Sequence, residues 1–374
     1  MAHAYTPGLK AAEEMTLKKI RRLPLPGDIM VETGQSVGAE TVVARTELPG
    51  NVRSINIANI LGVQPEEIDQ NMLKKVGEAV EKDEIIASTK GIFGLFKSQC
   101  SAPVDGTIES ISKITGQMII REPQIPVEID AYVDGQIVDI MQNEGVVVQT
   151  RGTFIQGIFG VGGEVVGELI MACDSPEDIL TPDKIDSQMA GKVVVGGSLI
   201  TADSVNHAAQ IGVKGIVAGG IDDGDLRQLL GYELGVAITG SEDLGVTLIV
   251  TEGFGKMEMA ARTFHLLQSR EGMKASINGA TQIRAGVIRP EVIIPAGGGL
   301  EDVADDADSQ GQLIIGAEVR IIREPHFGEL AEVMDLPAEL QELETEARVR
   351  VLEVKLKRTG QSVVLPRANV EIVG

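Results

Sequence analysis

The chain has 374 residues, 43% of them apolar, enough to build the cores of about two to four domains. A net charge of −22, only 3% aromatic residues and no Trp count against a protein that grips a phosphate backbone or stacks on bases. Its two cysteines, Cys100 and Cys173, belong to no CxxC or Cys/His cluster, so the usual zinc and iron–sulfur patterns are excluded.

No apolar run approaches a membrane span, and the first residues show no cationic stretch followed by an apolar one. The chain therefore reads as a soluble cytoplasmic protein with no membrane partner. No metal site is expected, and the cofactor is unknown. Residues 1–22 carry Lys10, Lys18, Lys19, Arg21 and Arg22 and read as a basic arm lying on the protein's own acidic surface.

Residues 23–175 read as β-rich. Short apolar runs alternate with turn residues, and Asp105-Gly106 and Asp134-Gly135 carry the dipeptide of tight hairpins, where Gly takes positive φ. Gly27–Ala44 parallels Leu73–Ala87, and Leu48-Pro49-Gly50-Asn51-Val52 parallels Ala102-Pro103-Val104-Asp105-Gly106. This is an internal repeat, or two halves of one pseudo-symmetric barrel. Ala58–Leu61, with Pro65-Glu66-Glu67 opening a short helix, reads as an insertion. The glycines of Gly157–Glu164 read as tight turns rather than an anion nest.

The segment Asn71–Arg121, with its V-G-x-x-V and A-P-V-D-G-T-I phrases, resembles biotinyl/lipoyl-type hammerhead folds. It is also similar to the opening barrel of the Rnf C subunit and to the sandwich-barrel hybrid motifs of RNA polymerase. Those folds imply a small β-barrel. A carrier would present a modified lysine at the hairpin tip. Neither Lys90 nor Lys97 has the usual spacing to Ala102-Pro103, and no Met flanks either, so no carrier lysine is assigned. The tip instead holds Ile92, Phe93, Leu95 and Phe96, more apolar surface than a solvated loop needs, and is the candidate partner-binding site.

From residue 176 to 296 the period changes. Apolar runs at Lys192–Gly197, Gly215–Gly220, Val236–Thr239, Val246–Thr251, Lys274–Asn278 and Val292–Pro295 predict strands. Thr201–Gln210, Asp223–Leu230 and Met257–Ser269 predict helices. Nearly all-apolar strands alternating with helices indicate a Rossmann-like domain with a parallel sheet covered on both faces. Residues 297–312 read as an acidic linker. Residues 313–374 return to β, and Gly316–Val333 resembles the KOW motif of NusG-type factors, implying an SH3-like barrel that binds RNA or protein. Ala331 stands where that motif commonly has its second Gly, and the nearby Glu318, Glu324, Glu329 and Glu332 favour protein contact over nucleic acid. The fold class is thus multidomain α+β: hammerhead-like β-barrel repeats, a Rossmann-like α/β domain and a KOW-type barrel.

Ligands of parallel sheets bind at the carboxyl ends of the strands. The candidates there are Gly196, Gly197, Ser198, Gly219, Gly220, Asp222, Asp223, Thr239, Gly240, Glu252 and Asn278. The acidic ones serve equally well as helix caps. Walker A, GxGxxG after a strand, GxSxG and His–Glu metal boxes are all missing. His207 and His265 fall inside helices and read as packed or boundary residues. Catalytic residues are therefore unassigned, and catalysis is not predicted. Phrases such as RRLPLPG, SAPVDGTIES and SINGATQIRAG resemble a bacterial family without an assigned activity, a resemblance that implies no function. The leading expectation is a cytosolic scaffold that docks proteins through its β-barrel modules. The alternatives are an enzyme or nucleotide sensor with its ligand at the strand ends, and a transcription- or translation-associated factor.

Overall fold

The computed structural model describes residues 9–90, 97–231, 242, 244–281, 288–297, 315–321, 323, 325–326, 329–337, 340–342 and 348–372. The chain is a mostly β, α+β protein with several sheets. The largest is a thirteen-stranded mixed sheet. Its middle is parallel: Glu164–Met171, Val193–Val195, Gly215–Ile221 and Thr247–Phe254 lie side by side in chain order. Gly215–Ile221 is buried at every position, as a strand covered on both faces must be.

Alternating residues face two separate cores. Val194, Ile216, Ala218, Leu248 and Val250 share one with Val205, Ala208 and Leu226 of the helices Ala202–Ile211 and Asp223–Leu230. Val193, Val195, Val217 and Ile249 share the other with Phe264, Leu266 and Leu267 of the helix Ala261–Gln268. Each such Val, Leu or Ile contributes about 1.5–3 kcal/mol by leaving water. The Ala202–Ile211 helix starts at Thr201, whose hydroxyl accepts the Ser204 N–H at 3.3 Å, and stops at Gly212 with φ 87°.

Two expectations change here. The sheet is not wholly parallel, because Lys274–Asn278 runs antiparallel between Glu164–Met171 and Glu291–Pro295. The chain leaves the Ala261–Gln268 helix level with the amino ends of the parallel strands, where Met273 O accepts the Leu169 N–H and Leu169 lies in register with Val193, and it runs on past them along Glu164–Glu168 instead of turning back. An all-apolar strand reads the same in either direction, which hid the reversal. The basic stretch read as an arm is the strand Ala11–Arg22, antiparallel to Gly145–Gln156. Its cations do meet acidic groups, as Lys19–Glu291, Arg21–Glu164 and Arg22–Glu144 pairs. Its buried Ala11, Ala12 and Leu17 alternate too sparsely to announce a strand.

The internal repeat is two complete modules, one nested in the other. The host uses Asp28–Leu48 and Ile125–Thr150 around Val37, Val43, Ala131, Ile137, Val146 and Val148. The guest uses Val52–Arg121 around Val80, Ile86, Ala102, Ile108, Met118 and Ile120. Their backbone bonds duplicate each other. Gly34 N–H donates to Ile137 O at 2.7 Å and Gly77 N–H to Ile108 O at 2.8 Å. Ile137 N–H donates to Gln35 O at 2.9 Å and Ile108 N–H to Glu78 O at 3.0 Å. Gly34 and Gly77 have φ of 88° and 90°.

The true counterpart of Ala102-Pro103-Val104-Asp105-Gly106 is therefore Ala131-Tyr132-Val133-Asp134-Gly135, not Leu48–Val52. The two Asp-Gly pairs are not positive-φ hairpin turns. Each Asp carboxylate accepts a backbone N–H of the other half: Lys82 on Asp105 at 2.7 Å, Ala39 on Asp134 at 2.6 Å. Each Gly admits a facing carbonyl, since a Cβ on Gly106 or Gly135 would stand 2.3 Å from Arg121 O or Gln149 O.

The host hairpin pairs Val42–Leu48 with Ile125–Asp130 and opens at Leu48 and Ile125 to admit the guest. The guest hairpin pairs Ile85–Ser88 with Gln99–Ser101 at the same point of its fold. The Ile92, Phe93, Leu95 and Phe96 tip follows there and lies outside the described residues. At the neck, Glu122 N–H donates to Asn51 O at 2.9 Å.

A six-stranded antiparallel sheet ends the chain, in the order Leu340–Glu342, Arg348–Leu356, Leu330–Asp335, Glu318–Ile321, Val370–Ile372, with Ser362–Pro366 also on Arg348–Leu356. Its core holds Val319, Ile321, Val333, Leu352 and Val354.

Candidate functional site

Gly196, Gly197, Ser198, Gly219, Gly220, Asp222, Asp223 and Glu252 do meet at the carboxyl edge of the parallel strands. Gly219 N–H donates to Gly197 O at 2.7 Å, and Gly220 lies in register with Gly253. The space beside them is filled by the chain itself. A Cβ on Gly197 would stand 2.4 Å from Asp178 O, on Gly219 2.3 Å from Met257 O and on Gly220 2.1 Å from Gly255 O. These glycines let the 175–178 and 255–259 loops cross the strand ends in close backbone contact. Ser198 is buried, and its hydroxyl donates to Glu177 O at 2.7 Å.

Two of the acidic candidates are held too. Asp223 pairs with Arg227 at 2.5 Å, one turn along its helix, whereas Asp222 takes that helix's N-cap position with its side chain exposed and making no cap bond. Glu252 is only 4% exposed; one carboxylate oxygen accepts Ala260 N–H at 2.9 Å and the other meets the guanidinium of Arg320. Arg320, 2% exposed, comes from the C-terminal sheet and also donates to Glu252 O at 3.3 Å. Thr239 and Gly240 lie outside the described residues. Asn278 is at the opposite edge, in register with Glu164 and Glu291, because its strand runs antiparallel. His207 Nε2 sits 3.1 Å from Ile185 O, and His265 is exposed.

The same carboxyl edge carries Cys173, with Lys184 Nζ at 3.8 Å from its sulfur and at 3.3 Å from Asp178. Burial pushes the thiol's pKa up, against the opposing charge of Lys184. The thiol is therefore a packed, protonated group rather than a ready nucleophile. No three His, Cys, Asp or Glu side chains among the described residues converge as a metal site.

A larger opening lies at the other, amino edge of the parallel strands. One cavity of about 690 Å³ is walled by Ile20–Arg22, Glu128–Asp130 and Glu164–Val166, with Glu40, Tyr132 and Lys214. A second, of about 420 Å³, runs on from it past Gly162, Gly163 and Thr247, and both share Glu164, Val165 and Lys214. Arg21 crosses the first cavity, donating twice to the Glu164 carboxylate at 2.7 Å and once to Asp130 O at 2.7 Å, with its guanidinium 5.3 Å from the Tyr132 ring. Tyr132 is buried with φ 71°, a conformation a bulky side chain adopts only when its surroundings hold it there. Its hydroxyl donates to Glu291 at 3.3 Å, beside Lys19 Nζ at 2.6 Å from the same oxygen. Burial, then Glu291 and Glu164, push the Tyr132 phenol well above its ordinary range. No motif in the sequence pointed to this edge, because its walls come from strands far apart in the chain.

Compared with known proteins, the chain matches no family model and no curated protein sequence. No helix among the described residues is long and apolar enough to cross a membrane.

Proposed function

We propose that this chain is a non-catalytic, cytosolic binding or scaffold protein that docks partner proteins through its β modules. In this reading the nested modules are biotinyl/lipoyl-like barrels, the parallel region is Rossmann-like and the C-terminal sheet is an SH3-like barrel of KOW type. The observation that carries it is the guest module. It is a whole folded unit placed where the host's own hairpin would end, with a core of its own. It also leaves large apolar side chains in water, among them Leu73 at 61% and Ile114 at 88% exposure. The filled carboxyl edge supports the same reading, since a ligand beside Gly219 or Gly220 would have to displace backbone. The transcription-factor reading asks for a basic face built from Arg320, Arg323, Arg348, Arg350 and Arg367. Arg320 is buried against Glu252, and Arg367 is spent on Val351 O and Pro337 O.

Excising residues 51–122 and closing Gly50 to Pro123 with a short turn tests this. The host should keep its melting transition and lose the partners that cross-link to the intact chain. Equal cross-linking by intact and excised protein sinks the reading.

A further inference from the structure

The groove at the amino edge has walls made of strand edges rather than of side-chain faces. Three strands border it, and among the described residues each pairs on one side only at that point. Ala11–Arg22 pairs with Gly145–Gln156, Ile125–Asp130 with Val42–Leu48, and Glu164–Val166 with Ser276–Asn278. Two outward carbonyls already draw side-chain donors: Asp130 O takes Arg21 Nε, and Val166 O takes Lys214 Nζ at 2.7 Å. Backbone at such an edge pairs readily with another strand. The two cavities share Glu164, Val165 and Lys214 in their walls, so one strand edge borders both and offers an extended chain a run of backbone along them.

Charge narrows the occupant. The cations lining the groove are engaged: Arg21 by Glu164, Arg22 by Glu144, and Lys214 by Val166 O with Glu40 at 4.0 Å. Glu128 and Asp130 make no ion pair among the described residues. Partial desolvation raises the pKa of the Asp130 carboxyl, and Glu128, Glu164 and Glu40 add to that against the pull of Arg21. The groove is therefore short of positive charge beside its open strand edges. We propose that it takes an extended, lysine- or arginine-bearing segment of a partner protein, paired through its backbone to the Glu128–Asp130 and Glu164–Val166 edges, with a cationic side chain on Glu128 and Asp130. The site is built from the host and the central sheet, so it stands apart from the guest module as a docking head, and either reading can fail alone.

The test uses the full chain and three fluorescent decapeptides: alternating Lys–Val, alternating Glu–Val, and Lys–Val with alternate amides N-methylated. Anisotropy titrations should show binding of the plain Lys–Val peptide only. The Glu128→Gln/Asp130→Asn variant should weaken it by about tenfold or more, the equivalent of about 1.4 kcal/mol. Both side chains reach solvent, so this variant should fold, and its melting curve checks that it does. The proposal is overturned if the N-methylated peptide binds as tightly, which would mean charge attraction without strand pairing. It is equally overturned if the variant binds as tightly, which would place the peptide elsewhere on an acidic surface, or if the plain peptide does not bind.

Discussion

The Arg320–Glu252 pair joins the C-terminal sheet to the end of the Thr247–Phe254 strand, and removing one partner should cost more than any surface ion pair. Both groups are more than nine-tenths buried, and Glu252 also serves the Ala260 N–H. Truncating Glu252 to Ala takes the carboxylate away from a buried guanidinium and frees a backbone donor. Breaking a buried pair from one side costs about 3–5 kcal/mol. Replacing both partners by apolar residues of similar volume, Glu252→Leu with Arg320→Met, removes the desolvation penalty along with the attraction and should recover most of that loss. The chain has no Trp, so far-ultraviolet circular dichroism in a urea titration is the readout, with hydrogen exchange over Glu318–Ile321 and Thr247–Phe254 locating the change. The single variant should loosen both segments together. A loss below about 1 kcal/mol, the range of exposed pairs, would refute the reasoning. So would a double variant less stable than either single one.

Gly220→Ala should destabilise the protein by about 1–3 kcal/mol, because its methyl group would meet Gly255 O at 2.1 Å; an unchanged melting temperature would show that the loop is not packed there. Asp105→Ala should loosen the guest module and Asp134→Ala the host, each by about 1–2 kcal/mol through the lost backbone acceptor, read by hydrogen exchange at Lys82 and Ala39; equal effects on both modules from one substitution would show that they do not fold as separate units. Tyr132 has a raised phenol pKa in the folded chain, so its contribution to stability is complete below the ordinary tyrosine pKa near 10.0 and is lost as pH rises above it. The protein minus Tyr132→Phe difference spectrum should show no phenolate band in the folded state at that pH, and a band that appears there would refute the burial argument. Cys173 should resist alkylation at mildly alkaline pH until the chain unfolds, since burial holds it protonated; prompt labelling of the native protein at Cys173 would overturn this.

Much of the α/β region was legible because its signals are local. The Asp223–Leu230 helix and the Lys274–Asn278 strand have the ends that periodicity and capping assign, and Thr201 caps its helix. Strand direction was not legible. Lys274–Asn278 has the same apolar alternation either way, and its direction follows from pairing with the Glu164–Glu168 half of its neighbour, which projects past the amino end of the next parallel strand. That one reversal took Asn278 away from the other candidates and put it beside Glu164 and Glu291.

The nested modules show a different limit. Both copies of the motif were in plain view as A-P-V-D-G at Ala102–Gly106 and A-Y-V-D-G at Ala131–Gly135. The second does not stand out as a copy because a repeat is expected to follow its copy in order, and nesting places both closing halves after both opening halves. Insertion at a hairpin end costs little, since the Leu48 and Ile125 ends are already adjacent in the host ladder and the guest brings its own core. Arg320 was hidden for a related reason. Between Val319 and Ile321 it has the alternation of an ordinary outward-facing residue, yet it is buried, and Glu252, far back in the chain, meets it there. The amino-edge groove extends this point: Arg21, Asp130 and Glu164 each belong to an unremarkable strand, and the cleft exists only where three strand edges end together. Local pattern reveals which residues a strand buries against its own sheet. What a strand's open edge or outward face meets is set by the topology, and here both the buried ion pair and the candidate binding groove lie on such surfaces.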